Sequence, residues 1–227
     1  MVGKITTRES LDQRRVRARK ILARLRKTYG PVSTALRHGD ALQLLISTIL
    51  SAQSTDDTIN RITPGLFEKY PDALALAEAD RSELERVIYP SGFFRQKAKS
   101  IQGTCRMIVD RFGGQVPSTM EDLLELPGVA RKTANVVLGS WFGRNDGIVV
   151  DTHVGRLAER MSLTWTARNA KDAVRIENDL MEIIPRRSWT CFSHLLIRHG
   201  RTVCTARKPG CAACPAAALC PAAGTFE

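Results

Sequence analysis

The chain has 227 residues; Lys and Arg number 34 and Asp and Glu 23, leaving a formal charge of +11 and a pI near 9.8. With 43% hydrophobic and 25% charged residues, the composition is that of a folded protein and excludes wholesale disorder. The longest apolar run, 42–50, is interrupted by Gln43, Ser47 and Thr48, so no membrane span is expected; the basic excess points to a polyanionic partner.

Residues 1–10 hold no apolar segment, so no secretory signal is expected there. The segment 14–27 is basic, acid-free and amphipathic. It reads either as an organellar transit peptide or as a first helix. In the second reading Ala18, Ile21, Leu22 and Leu25 meet a core, and the basic face stays solvated and attracts phosphate.

Asp40 with Gln43 has the pattern of a capping box, opening an apolar helix through Leu42, Leu45, Ile46, Ile49 and Leu50. Apolar residues surround its axis, as in a buried central helix. Helices are predicted over 78–88, closed by Tyr89-Pro90-Ser91-Gly92, and over 95–111, with Ala98, Ile101, Cys105 and Ile108 on one stripe. Ser118 with Glu121 predicts a second capping box, and the helix it opens ends before Pro127-Gly128. The next helix carries Ala134, Val137, Leu138 and Trp141 on one face. Ile148-Val149-Val150 could form a short strand. Asp151-Thr152 is an N-cap candidate for a helix over 154–160. Amphipathic helices follow over 171–184, stopped by Pro185, and over 192–198, with Gly200 as C-cap. The fold class expected is all-α.

Of six cysteines, Cys105 and Cys191 stand alone, and the other four crowd the end of the chain. Cys105 reads as a buried structural thiol. Nothing resembles a secreted disulfide framework, and a reducing compartment fits best. Cys204, Cys211, Cys214 and Cys220 are separated by six, two and five residues. Four thiolates so placed suit one metal centre, and spacing alone does not separate structural zinc from a [4Fe–4S] cube. Arg201, Arg207 and Lys208 would give this loop a cationic surface.

In Leu126-Pro127-Gly128-Val129-Ala130-Arg131-Lys132-Thr133-Ala134 a Pro-Gly turn joins two helices. It aims the first N–H groups of the second helix outward, where a phosphate oxygen could accept them; an ordinary helix corner has the same look. Lys132 near that helix start and Asp151 before a later one are each ordinary alone. Spacing cannot bring them together. In one cleft, the helix dipole and burial would favour a neutral lysine amine, and the carboxylate could take its proton and support a cationic sugar.

These segments, in this order, resemble the endonuclease III family of DNA glycosylases in the helix-hairpin-helix superfamily. The likeness runs from about Arg19 to Pro221. It is carried by Leu50-Ser51-Ala52-Gln53-Ser54-Thr55-Asp56, the 126–133 hairpin, Val150-Asp151-Thr152-His153, His199-Gly200-Arg201 and the four-cysteine loop. The resemblance implies a [4Fe–4S] cluster on Cys204, Cys211, Cys214 and Cys220, a catalytic Lys132 and Asp151, and a Gln53 that fills the space left by an extruded base. A partner loop for Gln53 is expected over 89–94. DNA contacts are expected from Gln53, Gly128, Val129, Ala130, Arg131, Thr133, His153 and Arg201.

It further implies two helical domains with a DNA cleft between them: a six-helix barrel over 32–145 holding the hairpin at 126–134, and a cluster domain from 1–31 and 146–227 with its cluster loop at 204–220. The implied function is a bifunctional DNA glycosylase/AP lyase of base excision repair, acting on oxidised pyrimidines and nicking the strand by β-elimination. The partner is double-stranded DNA with damaged bases or abasic sites, and a cytoplasmic, nucleoid-associated monomer is expected. Ala130 departs from the family's more usual Pro-Gly-Val-Gly, and its methyl group could crowd a phosphate or restrict the turn. Rival readings are an adenine mismatch glycosylase, disfavoured because 42–53 holds no Glu, and a non-catalytic DNA-binding or redox-sensing protein with the same cluster.

Overall fold

The computed structural model describes residues 9–226. The expectation of no secretory signal falls mostly on residues 1–8, outside the described residues. Every regular element among the described residues is helical, so the fold is all-α. The chain divides into two compact units, Thr34–Asp146 and Met1–Ser33 with Gly147–Glu227.

The first unit is built round α2 (Ala41–Leu50), in which every residue from Leu44 to Leu50 is buried. Asp40 caps it by accepting from the Gln43 N–H. The reciprocal half of the expected box is displaced by one residue, because the Gln43 side chain accepts from Gly39 rather than Asp40. Around α2 lie α3 (Asp56–Lys69), α4 (Ala73–Glu78), α5 (Arg81–Ile88), α6 (Phe94–Phe112), α7 (Met120–Glu125) and α8 (Arg131–Ser140).

The helix predicted over 78–88 begins two residues into a break: Glu78 ends α4, and Asp80 starts α5 by accepting from the Glu83 N–H. The second predicted cap is shifted too. Thr119, not Ser118, accepts from the N–H three residues on, at Asp122. Met120 and Leu123 are the residues this helix buries. The α6 stripe is as predicted, with Ala98, Ile101, Cys105 and Ile108 fully buried. Trp141 falls just past α8 and stays 42% exposed, its ring edge-on to His38.

In the second unit, α1 (Leu11–Tyr29) buries Ala18, Ile21, Leu22 and Leu25. They pack in one core with residues of α9 (Thr152–Arg160), α10 (Ala173–Ile183) and α11 (Trp189–Thr202). The basic amphipathic segment is thus a core helix, and its basic face is solvated only in part: Arg19, Lys20, Arg24, Arg26 and Lys27 are exposed, whereas Arg14 and Arg17 are largely buried beside Glu9.

Residues 148–150 form no strand; they lead into α9 with Ile148 and Val149 buried, the Val149 N–H satisfied by the Ser193 hydroxyl. Gly200 is no C-cap either. It lies inside α11, which ends at Val203, and a Cβ there would sit 2.9 Å from the Cβ of His153. Close helix approach, not a left-handed turn, calls for that glycine. Gly155 does the same on α9, where a Cβ would collide with the Ala170 carbonyl oxygen.

Candidate active site and metal centre

The hairpin begins where α7 ends. Pro127 and Gly128 occupy the centre of a turn closed by the Val129 N–H on the Leu126 carbonyl, 3.0 Å. Gly128 has φ +80, the left-handed backbone a type II turn demands at its third position. Three α6 residues hold this turn: Thr104 Oγ1 donates to the Pro127 carbonyl at 2.6 Å, Gly103 lies under the Pro127 ring, and Ser100 lies against Gly128. Val129 is buried and anchors the turn from inside.

Ala130 is the N-cap of α8, with φ −91 and ψ 168 and no side-chain cap. An extended backbone at negative φ accommodates the methyl group without strain. The expected crowding of the turn therefore does not arise at the backbone. The first turn of α8 carries Arg131, Lys132 and Thr133 with no capping side chain to compete for its N–H groups. Lys132 is exposed.

Gln53 lies in the turn after α2, exposed, with φ 54. Positive φ in a glutamine is a sparsely populated backbone state. A second turn, over Tyr89–Ser91, leads through Gly92 to Phe93, also at positive φ. Tyr89 and Phe93 are 64% and 66% exposed, an unusual situation for two large aromatics.

In the other unit Asp151 caps α9, its Oδ1 accepting from the N–H groups of His153 and Val154, both at 2.8 Å. His194, buried on α11, is an electrostatic neighbour of this carboxylate: burial holds its pKa below the usual value, and Asp151 pulls it upward. His153 Nδ1 pairs with Arg156 at 3.1 Å, and the same guanidinium reaches the carbonyls of Gly200 and Cys204. One turn on, Arg160 binds Cys204 Sγ at 3.3 Å and the carbonyls of Thr205 and Ala206 at 2.7 Å. Helix α9 therefore carries the candidate carboxylate at its start and grips the cysteine loop with its later turns. Arg201 is exposed on α11.

The four cysteines, Cys204, Cys211, Cys214 and Cys220, line one small cavity together with Arg160 and Pro209. Burial pushes the thiols of Cys214 and Cys220 up. His199, fully buried, bridges Tyr29 and this loop: Nδ1 lies 2.7 Å from the Tyr29 hydroxyl and Nε2 3.3 Å from Cys214 Sγ. No group of described residues converges tightly enough to hold a single metal ion.

His194, Arg156, Arg160 and Lys97 do not stand out as site residues in the sequence. For the two arginines the spacing of four on the polar side of an amphipathic helix was a signal. The other two offer none, since His194 meets Asp151 and Lys97 meets the Leu50 carbonyl across more than 40 positions of chain.

No described helix is long and apolar enough to cross a membrane. A family model for HhH-GPD superfamily base excision DNA repair proteins matches residues 46–186. A protein of Synechocystis sp. named Endonuclease III is 54% identical over 90% of this chain and 91% of its own. The Bacillus subtilis protein of that name is 41% identical over 79% and 80%. A solved structure described as a non-covalent Endonuclease III-DNA complex is similar with a TM-score of 0.86 and 37% identity, over 93% of this chain and 97% of that one. A trapped Endonuclease III-DNA covalent intermediate matches equally well. With a family model matching most of the chain and relatives alike at these levels, the chain belongs to the endonuclease III family of the HhH-GPD superfamily.

Proposed function

We propose that this protein is a bifunctional DNA glycosylase and AP lyase of base excision repair that acts on double-stranded DNA carrying damaged bases or abasic sites. The observation that carries the reading is the start of α8, where a type II Pro-Gly turn held against α6 precedes an uncapped helix N-terminus bearing an exposed lysine. Such a terminus offers N–H donors and a positive dipole end to a phosphate, without reading sequence. Arg131, Lys132 and Thr133 supply it, with Gly128, Val129 and Ala130 forming the turn.

A base within a duplex is out of reach, so the nucleotide must swing out of the stack. Gln53 takes the vacated space. Lys132, as the free amine, attacks the sugar C1′; the C1′–N bond to the base breaks, and the base departs with the electron pair and gains a proton. Asp151 supports the positive charge that develops on the sugar. Opening of the sugar ring leaves a protonated imine between Lys132 and C1′. That imine acidifies the C2′ hydrogen, whose loss expels the 3′ phosphate and nicks the strand. Oxidised pyrimidines are the substrates, His153 and Arg201 contribute DNA contacts, and the protein works as a cytoplasmic monomer.

The cysteine loop fits a [4Fe–4S] cluster. Four thiols round one cavity, with Arg160 and His199 placed to donate to two of the sulfurs, match its ligand demand and its negative charge. When bound, the cluster supplies four metal–thiolate bonds that fix the 204–220 loop. The chain's own part is to hold that loop against α9 through Arg156 and Arg160.

Borohydride reduction tests the covalent step. The intact protein should be trapped on abasic DNA as a stable adduct, and Lys132→Ala should give none. An adduct that persists in Lys132→Ala overturns the assignment of the nucleophile.

A further inference from the structure

Lys97 lies in the first turn of α6, yet it is only 5% exposed. A buried ammonium is costly unless its hydrogens are taken up. Here Nζ donates to two backbone carbonyls, Leu50 at 2.7 Å and Ser91 at 2.7 Å. Leu50 is the last residue of α2, three before Gln53. Ser91 ends the turn that begins at Tyr89, two before Phe93.

The two carbonyls are not arbitrary ones. The Leu50 oxygen belongs to the last turn of a helix, where a carbonyl lacks an intrahelical partner and a cation is favoured. Each bridged segment then enters a turn holding a non-glycine residue at positive φ, Gln53 at 54 and Phe93 at 47; among the described residues Ser162 alone shares that property. Strained backbone of this kind persists where the surroundings over-determine it. Lys97 is such a determinant, reaching both turns from one atom. The side chains nearby, Gln53, Tyr89 and Phe93, are all exposed. Flat or apolar side chains held outward are what separates stacked bases.

We infer that Lys97 is a positioning residue whose ammonium ties the Gln53 turn to the Tyr89–Phe93 turn, so that the two enter a duplex as one rigid wedge. This rests on the glycosylase reading above.

The test uses the full holoenzyme and single-turnover cleavage of two substrates: a lesion paired within a duplex, and an abasic site in a single strand, which has no stack to open. Lys97→Met keeps the stem volume and removes the donors. It should slow the paired substrate at least tenfold and the single-stranded one no more than threefold, with Lys97→Arg recovering much of the loss. A fluorescent adenine analogue beside the lesion should show slower unstacking in Lys97→Met. Equal losses on both substrates, or no loss on either, overturn the inference. Should Lys97→Met fail to fold, Gln53→Ala, Phe93→Ala and their double variant decide, since both side chains are on the surface. One wedge predicts that the double variant is little slower than the slower single; multiplicative losses overturn it. Failure of the glycosylase reading is seen separately, as absent borohydride trapping by the unmodified protein.

Discussion

Gly128 and Ser100 are packed so closely that a Cβ on the glycine would lie 2.6 Å from the Cβ of the serine. The contact joins the hairpin turn to α6, and the glycine's φ of +80 adds a second reason for its identity. Gly128→Ala should destabilise the protein by about 2–4 kcal/mol, combining left-handed strain with overpacking. Adding Ser100→Gly should relieve the crowding and leave the strain. Chemical denaturation of the single and double variants reads the difference, and a Gly128→Ala protein of unchanged stability would contradict the packing described.

Asp151 has a structural and a proposed chemical role, and substitution separates them. Asparagine retains an oxygen able to accept from His153 and Val154, so Asp151→Asn should fold with near-normal stability while turnover falls strongly. Asp151→Ala should lose in addition about 1 kcal/mol of stability, as N-cap truncations do. Thermal melts beside single-turnover rates check this; full activity in Asp151→Asn removes the carboxylate from the mechanism.

Cys105 is fully buried, and burial pushes its thiol up to about 12 from 9.0. The folded state then holds a proton that the unfolded chain releases first. Its contribution is complete below pH 9, and it is lost as pH rises from 9 towards 12, on the order of a few kcal/mol at the upper end. Stability of the protein should fall more steeply over this interval than that of Cys105→Ala. At pH near 8, alkylation followed by peptide mapping should leave Cys105 unmodified until denaturant is added.

Arg160 holds the cysteine loop by three hydrogen bonds, one of them to Cys204 Sγ. Its guanidinium also stacks on the Phe226 ring at 4.3 Å. Arg160→Ala should lose bound iron faster under chelator challenge, from an initial content of about four iron per chain. An initial content of one zinc and no iron would refute the cluster.

Binding to undamaged duplex should weaken steeply with salt. Neutralising roughly five to eight phosphates gives a log–log slope of about −4 to −7. A flat response would mean that the basic excess is not the DNA footprint.

The parts of this molecule legible in its sequence are those whose partners lie within a few positions. Asp40 and Asp151 cap the helices that follow them because the N–H groups they accept from are two or three residues on. The Pro-Gly turn, the buried α6 stripe and the cysteine spacing are equally local, and they were enough to suggest an all-α chain of a particular family. The cap expected at Ser118 is made one residue later, by Thr119. The remaining features join distant segments. Gly200 looked like a helix stop and proved to be a helix interior, because the residue that needs its space, His153, is 47 positions earlier. Lys97 is buried on the Leu50 carbonyl, likewise 47 positions earlier. Hydrophobic periodicity tells which face of a helix turns inward. Only the tertiary structure tells what that face meets, because burial and hydrogen-bond pairing are set by the chain's approach to itself.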